Sequence, residues 1–190
     1  MLSAVRNDES LESVYAGLMA SRRGEPEEEN LARMLASWSV GEGVMPDWFG
    51  LGERSFRQLM IRHFPGADPD RLARFGRPLT FNRHDEREEL HSLLLTHRTG
   101  VSSSEAWMAG IVTAGCLGSD HLWHDLGLWS RADLSKLMLD HFAPLALRNN
   151  KNMKWKRFLY KQLCESEGIY VCRSPSCEVC VDYAKCFVPS

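Results

Sequence analysis

Along most of this chain apolar residues recur at α-helical spacing, and no run of four or more residues alternates as a half-buried strand does. That pattern argues against sheet architectures and for helix packed on helix. Leu11, Val14, Tyr15, Leu18 and Met19 make the first apolar face, and Arg23-Gly24 is its expected end. Pro26 suits a first helical turn, where Glu27, Glu28 and Glu29 favour the positive end of the helix dipole. Leu31, Met34, Leu35 and Trp38 form the face of that second helix. The stretch 40–52 holds four glycines and Pro46 and reads as a loop. Phe56, Leu59, Met60 and Phe64 predict a third helix that stops before Pro65.

Residues 65–78 are turn-rich, with room for a short helix at 70–75. Asn82 is placed to cap a helix bearing Leu90, Leu93, Leu94 and His97, and Ser103 or Ser104 to cap one with Trp107, Ile111 and Ala114 inward. Ser130 and Asp133 stand in capping-box spacing before Leu134, Leu137, Met138 and Phe142. Asn149 or Asn150 is the expected start of a last helix with Trp155, Phe158, Leu159 and Leu163 on its face. No internal repeat is evident. The expected fold is all-α: one helical domain over 1–168, followed by an irregular cysteine-rich tail over 169–190.

With 190 residues, 44% of them hydrophobic, the chain can build a core without metals or disulfides, so its six cysteines need another explanation. The first fifteen residues are interrupted by Arg6, Asp8, Glu9 and Glu12 and contain no apolar signal core. The longest apolar stretch, 106–118, is too short for the ~20 residues that cross a bilayer and reads as a buried helix. The formal net charge of −2 gives no indication of a nucleic-acid or membrane partner, and neither is expected. A cytoplasmic location is expected, where clustered thiols stay reduced and act as ligands or redox groups.

Four of the cysteines, Cys172, Cys177, Cys180 and Cys186, follow C-x4-C-x2-C-x5-C in a segment with two prolines and no helical period. Structural zinc sites usually join two tight cysteine pairs separated by a dozen or more residues. Here one tight pair is flanked by single cysteines in a continuous loop. That arrangement favours an iron–sulfur cluster, which presents several metals at separate corners, and leaves a structural zinc as the alternative. Arg148, Lys151, Lys154, Lys156, Arg157 and Lys161 precede the loop with no acidic residue among them, and Arg173 and Lys185 lie within it. They form the solvated face of an amphipathic helix, or a cationic field that offsets cluster charge, attracts an oxyanion or docks an acidic partner.

Three blocks, HLWHDLGLWSRADLSKLM from His121, HFAPLALRNNKNMKWKRFLYKQLC from His141 and CRSPSCEVCVDYAKCF from Cys172, together resemble the NifQ family. The resemblance is dense over 107–187 and loose before about residue 85. It implies a carrier, not an enzyme, that holds an iron–sulfur cluster containing molybdenum and supplies molybdenum for the nitrogenase iron–molybdenum cofactor. It also implies the NifEN scaffold complex and the nitrogenase iron protein NifH as partners, and molybdate or another molybdenum source upstream. On this reading three of Cys172, Cys177, Cys180 and Cys186 hold irons, and the fourth, or an oxygen or nitrogen ligand, faces molybdenum. No nucleophile–base pair stands out to support turnover.

His121 and His124, three apart in DHLWHD, are the first candidates for a non-cysteine metal ligand, against a packing role around Trp123. His63 and His141, each followed by Phe, read as helix-boundary residues, and His84, His91 and His97 form no tight pair. Cys116 reads as packing, Cys164 as a packing residue or a spare thiolate, and Trp155 as a shield for the cluster or a core residue.

Overall fold

The computed structural model describes residues 10–73 and 84–167. Ten α-helices and no strands occur among them: α1 Leu11–Ser21, α2 Glu28–Ser39, α3 Glu53–His63, α4 Pro69–Leu72, α5 His84–Thr96, α6 Glu105–Cys116, α7 Leu122–Asp125, α8 Arg131–His141, α9 Ala143–Ala146 and α10 Trp155–Glu167. The fold is all-α, as the periodicity predicts. Among the described residues no helix is long and apolar enough to cross a membrane, and the apolar stretch 106–118 is largely the buried helix α6. The tail assigned to 169–190, with Cys172, Cys177, Cys180 and Cys186, lies outside the described residues, as do Asn82, Arg173 and Lys185.

Side-chain caps mark three of the helix starts. Ser10 accepts the Ser13 N–H at 3.2 Å, Asp68 accepts that of Asp70 at 3.0 Å, and Ser130 accepts that of Asp133 at 3.1 Å. The capping-box spacing at Ser130 is half used, because the Asp133 carboxylate turns instead to Arg33 of α2 at 2.8 Å. Ser104 precedes α6 but makes no cap bond; its hydroxyl faces His63 at 2.9 Å. Asn149 does not open the last helix. It bonds the Met153 N–H and C=O at 2.8 and 3.0 Å, folding the turn before α10.

The order of elements repeats, which the sequence reading did not anticipate. Helices α1 to α4 run 11, 12, 11 and 4 residues, and α5, α6, α8 and α9 run 13, 12, 11 and 4. Between the second and third helix of each set lies a short element, the turn Asp47–Gly50 in the first and α7 in the second. Helix α3 ends in Leu59-Met60-Ile61-Arg62-His63 and α8 in Leu137-Met138-Leu139-Asp140-His141. The phenylalanine that follows has φ −136° in both. Its N–H bonds to Met60 O at 2.8 Å in one half and to Met138 O at 2.9 Å in the other.

The packing is reciprocal too. A Cβ on Gly50 would stand 2.8 Å from Ala114 Cβ of α6, and a Cβ on Gly127, just after α7, 2.8 Å from Ser37 Cβ of α2. Both glycines have positive φ, +73° and +76°. Each half therefore seats its turn against the second helix of the other, and α10 is added to this pair. The repeat escapes a scan for identity because packing preserves apolar positions and backbone shape, and the longest run of shared residues is at the ends of α3 and α8.

Trp38 sits at the centre of the first half, 2% exposed, edge-on to Phe49 at 4.9 Å and to Phe56 at 5.5 Å, with its indole N–H on Met45 O at 3.2 Å. This burial holds Trp48 and Phe49 in the left-handed region at φ 54° and 57°, a conformation uncommon for residues other than glycine.

Candidate functional site

Helix α10 carries the chain toward the cysteine segment, so what fixes α10 fixes the root of that segment. At its start Trp155 is 8% exposed, donates its indole N–H to Ser135 Oγ at 3.2 Å and packs edge-on against Phe158 at 5.9 Å. That makes Trp155 a core residue. It stands ~18 Å of helix from the C-terminal end of α10, at 1.5 Å per residue, and the cysteines of the cluster it was expected to shield lie outside the described residues. Tyr160 donates to Glu86 of α5 at 3.2 Å. Arg131 reaches from α8 to Asn152 O at 2.9 Å and Met153 O at 3.1 Å, clamping the turn before α10.

The six basic residues from Arg148 to Lys161 divide into distinct roles. Lys156 is buried: its ammonium donates to Gly118 O at 2.8 Å and pairs with the Asp125 carboxylate of α7. Asp125 also accepts the Asp120 N–H at 3.0 Å, and its backbone carbonyl accepts the Val44 N–H at 3.0 Å. The pair thus joins the 43–44 loop, the 118–120 loop, α7 and α10. Arg148, Lys151 and Lys154 are exposed, while Arg157 and Lys161 are half-buried. Arg148, Lys151 and Lys161 border one open cleft of about 380 Å³ along the outer face of α10.

His121 precedes α7 and His124 lies within it, and both are exposed. His124 Nδ1 lies 3.5 Å from Asp120 Oδ2, and its ring meets Trp123 edge-on at 5.8 Å. The Asp120 carboxyl lies below the usual carboxylate range, first because it accepts the His121 N–H and then because His124, His121 and Lys156 are near. Among the described residues no three His, Cys, Asp or Glu side chains stand together as a metal-holding group. His124 thus packs on Trp123 with one carboxylate beside it. Cys116 and Cys164 are both buried and in no disulfide, Cys164 on α10.

The larger surprise is a buried polar cluster between the halves. His63 and His141, read from sequence as boundary residues, are 0% and 1% exposed. His63 Nδ1 lies 3.4 Å from Glu28 Oε1, and Nε2 lies 2.9 Å from Ser104 Oγ and 3.8 Å from Glu27 Oε1. Glu27 accepts from Ser102 Oγ at 2.7 Å. Burial pushes its carboxyl up, but hydrogen bonds from Ser102, its own backbone N–H and Ser104, with His63 beside it, outweigh burial and hold it low. Burial lowers both imidazoles, only partly offset by Glu27 and Glu28 at His63 and by Glu27, Asp140 and Glu105 at His141.

Glu28 and Glu105 show what the acidic helix starts do. Glu28 gathers the N–H groups of Arg23, Gly24 and Glu25 at 2.7 to 3.0 Å, and Glu105 those of Gly100, Val101 and Ser102. Each carboxylate folds the loop before its helix as well as favouring the helix dipole. The signal for this cluster was present in the repeated Leu-Met-x-x-His-Phe of 59–64 and 137–142.

Comparison with known proteins extends the resemblance seen in the C-terminal blocks. The family model described as NifQ matches residues 30–188, a span that includes Cys172, Cys177, Cys180 and Cys186 and reaches well before residue 85. Protein NifQ of Azotobacter vinelandii is 48% identical over 167 residues, covering 83% of this chain and 86% of its own. Protein NifQ of Klebsiella pneumoniae is 37% identical over 164 residues, covering 83% and 96%, and that of Rhodobacter capsulatus 38% over 161 residues, covering 84% and 86%. No solved structure matches. On a family match across most of its length and identities of this size, the chain belongs to the NifQ family.

Proposed function

We propose that this protein carries an iron–molybdenum–sulfur cluster as cargo and supplies its molybdenum to assembly of the nitrogenase iron–molybdenum cofactor, in nitrogen fixation. The observation that carries this reading is the family match running through 188, across all four cysteines of C-x4-C-x2-C-x5-C. Cys172, Cys177, Cys180 and Cys186 are the proposed ligands. Soft thiolates suit iron–sulfur metal, and four on one short loop suit a body with several metal corners. The protein acts as a carrier and not as an enzyme, in the cytoplasm, with NifEN and NifH as receiving partners. The clamped, largely buried α10 supports this role by giving the loop a fixed root.

Oxygen-free purification tests the proposal directly. The expected product is brown, contains iron and molybdenum together and bleaches in air. Single Cys172→Ala, Cys177→Ala, Cys180→Ala and Cys186→Ala variants should lose iron and molybdenum in different proportions. Stoichiometric zinc with neither iron nor molybdenum, even after reconstitution, would replace this reading with a zinc-stabilised interaction module.

A further inference from the structure

Among the described residues, one cavity has a lining that points to a ligand class: the cleft on the outer face of α10. Arg148, Asn150 and Lys151 approach from the turn between α9 and α10, and Phe158, Lys161 and Gln162 line it from the helix. Three cations and three side-chain amides, Asn149, Asn150 and Gln162, thus border one concavity of about 380 Å³. Its one acidic residue, Glu165, is engaged by Lys161 at 3.4 Å and by Gln162 at 2.7 Å. Arg148 reaches only a neutral partner, Gln162 at 3.5 Å, and Lys151 has no ion-pair partner among the described residues. The lining carries a net charge of +2.

The cleft is also held in shape. Asn149 closes the turn on Met153, and Arg131 grips the carbonyls of Asn152 and Met153 from behind. Lys151 therefore projects from a fixed backbone and not from a loose loop. A guanidinium fork, two ammonium charges and amide donors around a small concavity match the surface of a compact, multiply charged oxygen anion.

We infer that this cleft binds a tetrahedral oxyanion, and that it receives molybdate before the metal meets the thiolates of the following segment. Binding by the cleft rests on its own lining; the choice of molybdate over sulfate or phosphate rests on the proposed function. Glu165 lies seven residues before Cys172, so anion capture and thiolate chemistry share one short length of chain.

The test uses the full-length chain with Cys172, Cys177, Cys180 and Cys186 all changed to Ser, so that thiolate binding cannot mimic the cleft. Equilibrium dialysis with molybdate, at low and at physiological salt, should show saturable binding that weakens as salt screens the charges. Lys151→Ala and Lys161→Ala should each weaken it by roughly three- to tenfold. Lys154→Ala is the control: it removes the same charge from an exposed neighbour that does not line the cleft, and should leave binding unchanged.

Equal loss in Lys154→Ala would show a diffuse field and overturn the cleft. Absence of saturable binding would do the same. Displacement of molybdate by equimolar sulfate or phosphate would keep an anion cleft but overturn its assignment to molybdenum. Iron and molybdenum contents of the wild-type protein are read separately. Saturable, selective molybdate binding by a chain that never acquires iron would sustain the cleft while removing the cluster.

Discussion

Replacing Lys156 by methionine isolates the contact that ties α10 to the rest of the fold. The Lys156 side chain is 8% exposed and that of Asp125 is 1% exposed, so the substitution leaves a carboxylate buried without its cation. Asp125 keeps only the Asp120 N–H at 3.0 Å, while Gly118 O loses the ammonium that met it at 2.8 Å. There is no space for rescue by repacking at Gly118, where even a Cβ would stand 2.4 Å from Asp125 Oδ2. Removing one partner of a buried pair costs about 3–5 kcal/mol. For a chain of this size that lowers Tm by about 6–20 °C, taking 2–4 °C per kcal/mol. Thermal and urea unfolding followed by far-UV circular dichroism measure it. Asp125→Asn combined with Lys156→Met should recover most of the loss, because the buried charge is then gone from both sides. A Lys156→Met protein less than about 1 kcal/mol below wild type, or a double variant no better than the single, would refute the reasoning.

Stability should fall on acidification below neutral pH. His63 and His141 are held below their ordinary value, so the unfolded chain takes up protons first as pH drops through about 6.5. Their contribution is complete above that pH and is lost below it, by at most about 1.4 kcal/mol per pH unit for each ring. His141→Leu should flatten the slope measured by urea unfolding at pH 7.0, 6.0 and 5.5. It should cost little at pH 7.0, since neither ring nitrogen of His141 has a hydrogen-bond partner among the described residues; an unchanged slope would remove His141 from the account. Gly50→Ala and Gly127→Ala should each destabilise by about 1–3 kcal/mol, from the close approach across the halves and the positive φ. Equal stability of either variant to wild type would contradict the reciprocal seating of the two turns.

Much of this protein is legible in its residues taken in order. Apolar spacing placed the main helices, Ser130 announced the start of α8, and the C-terminal blocks carried the family. The four clustered cysteines are read as metal–sulfur ligands from spacing and family resemblance alone, since ligand type and loop length are local properties. Other features depend on which surfaces meet, and no single stretch encodes that. Lys156 looked like one more exposed cation until α7 brought Asp125 to it, because a charge reads as solvated unless its distant partner is known. Trp155 reads equally well as a core residue or as exposed to the cysteine loop, and only the structure shows its indole N–H on Ser135 of α8. His63 and His141 do end their helices, as the sequence indicates, but their burial depends on how the two halves meet. The duplication itself stayed hidden for the same reason: two halves that clasp each other must conserve shape at their contacts, and many residues supply the same shape.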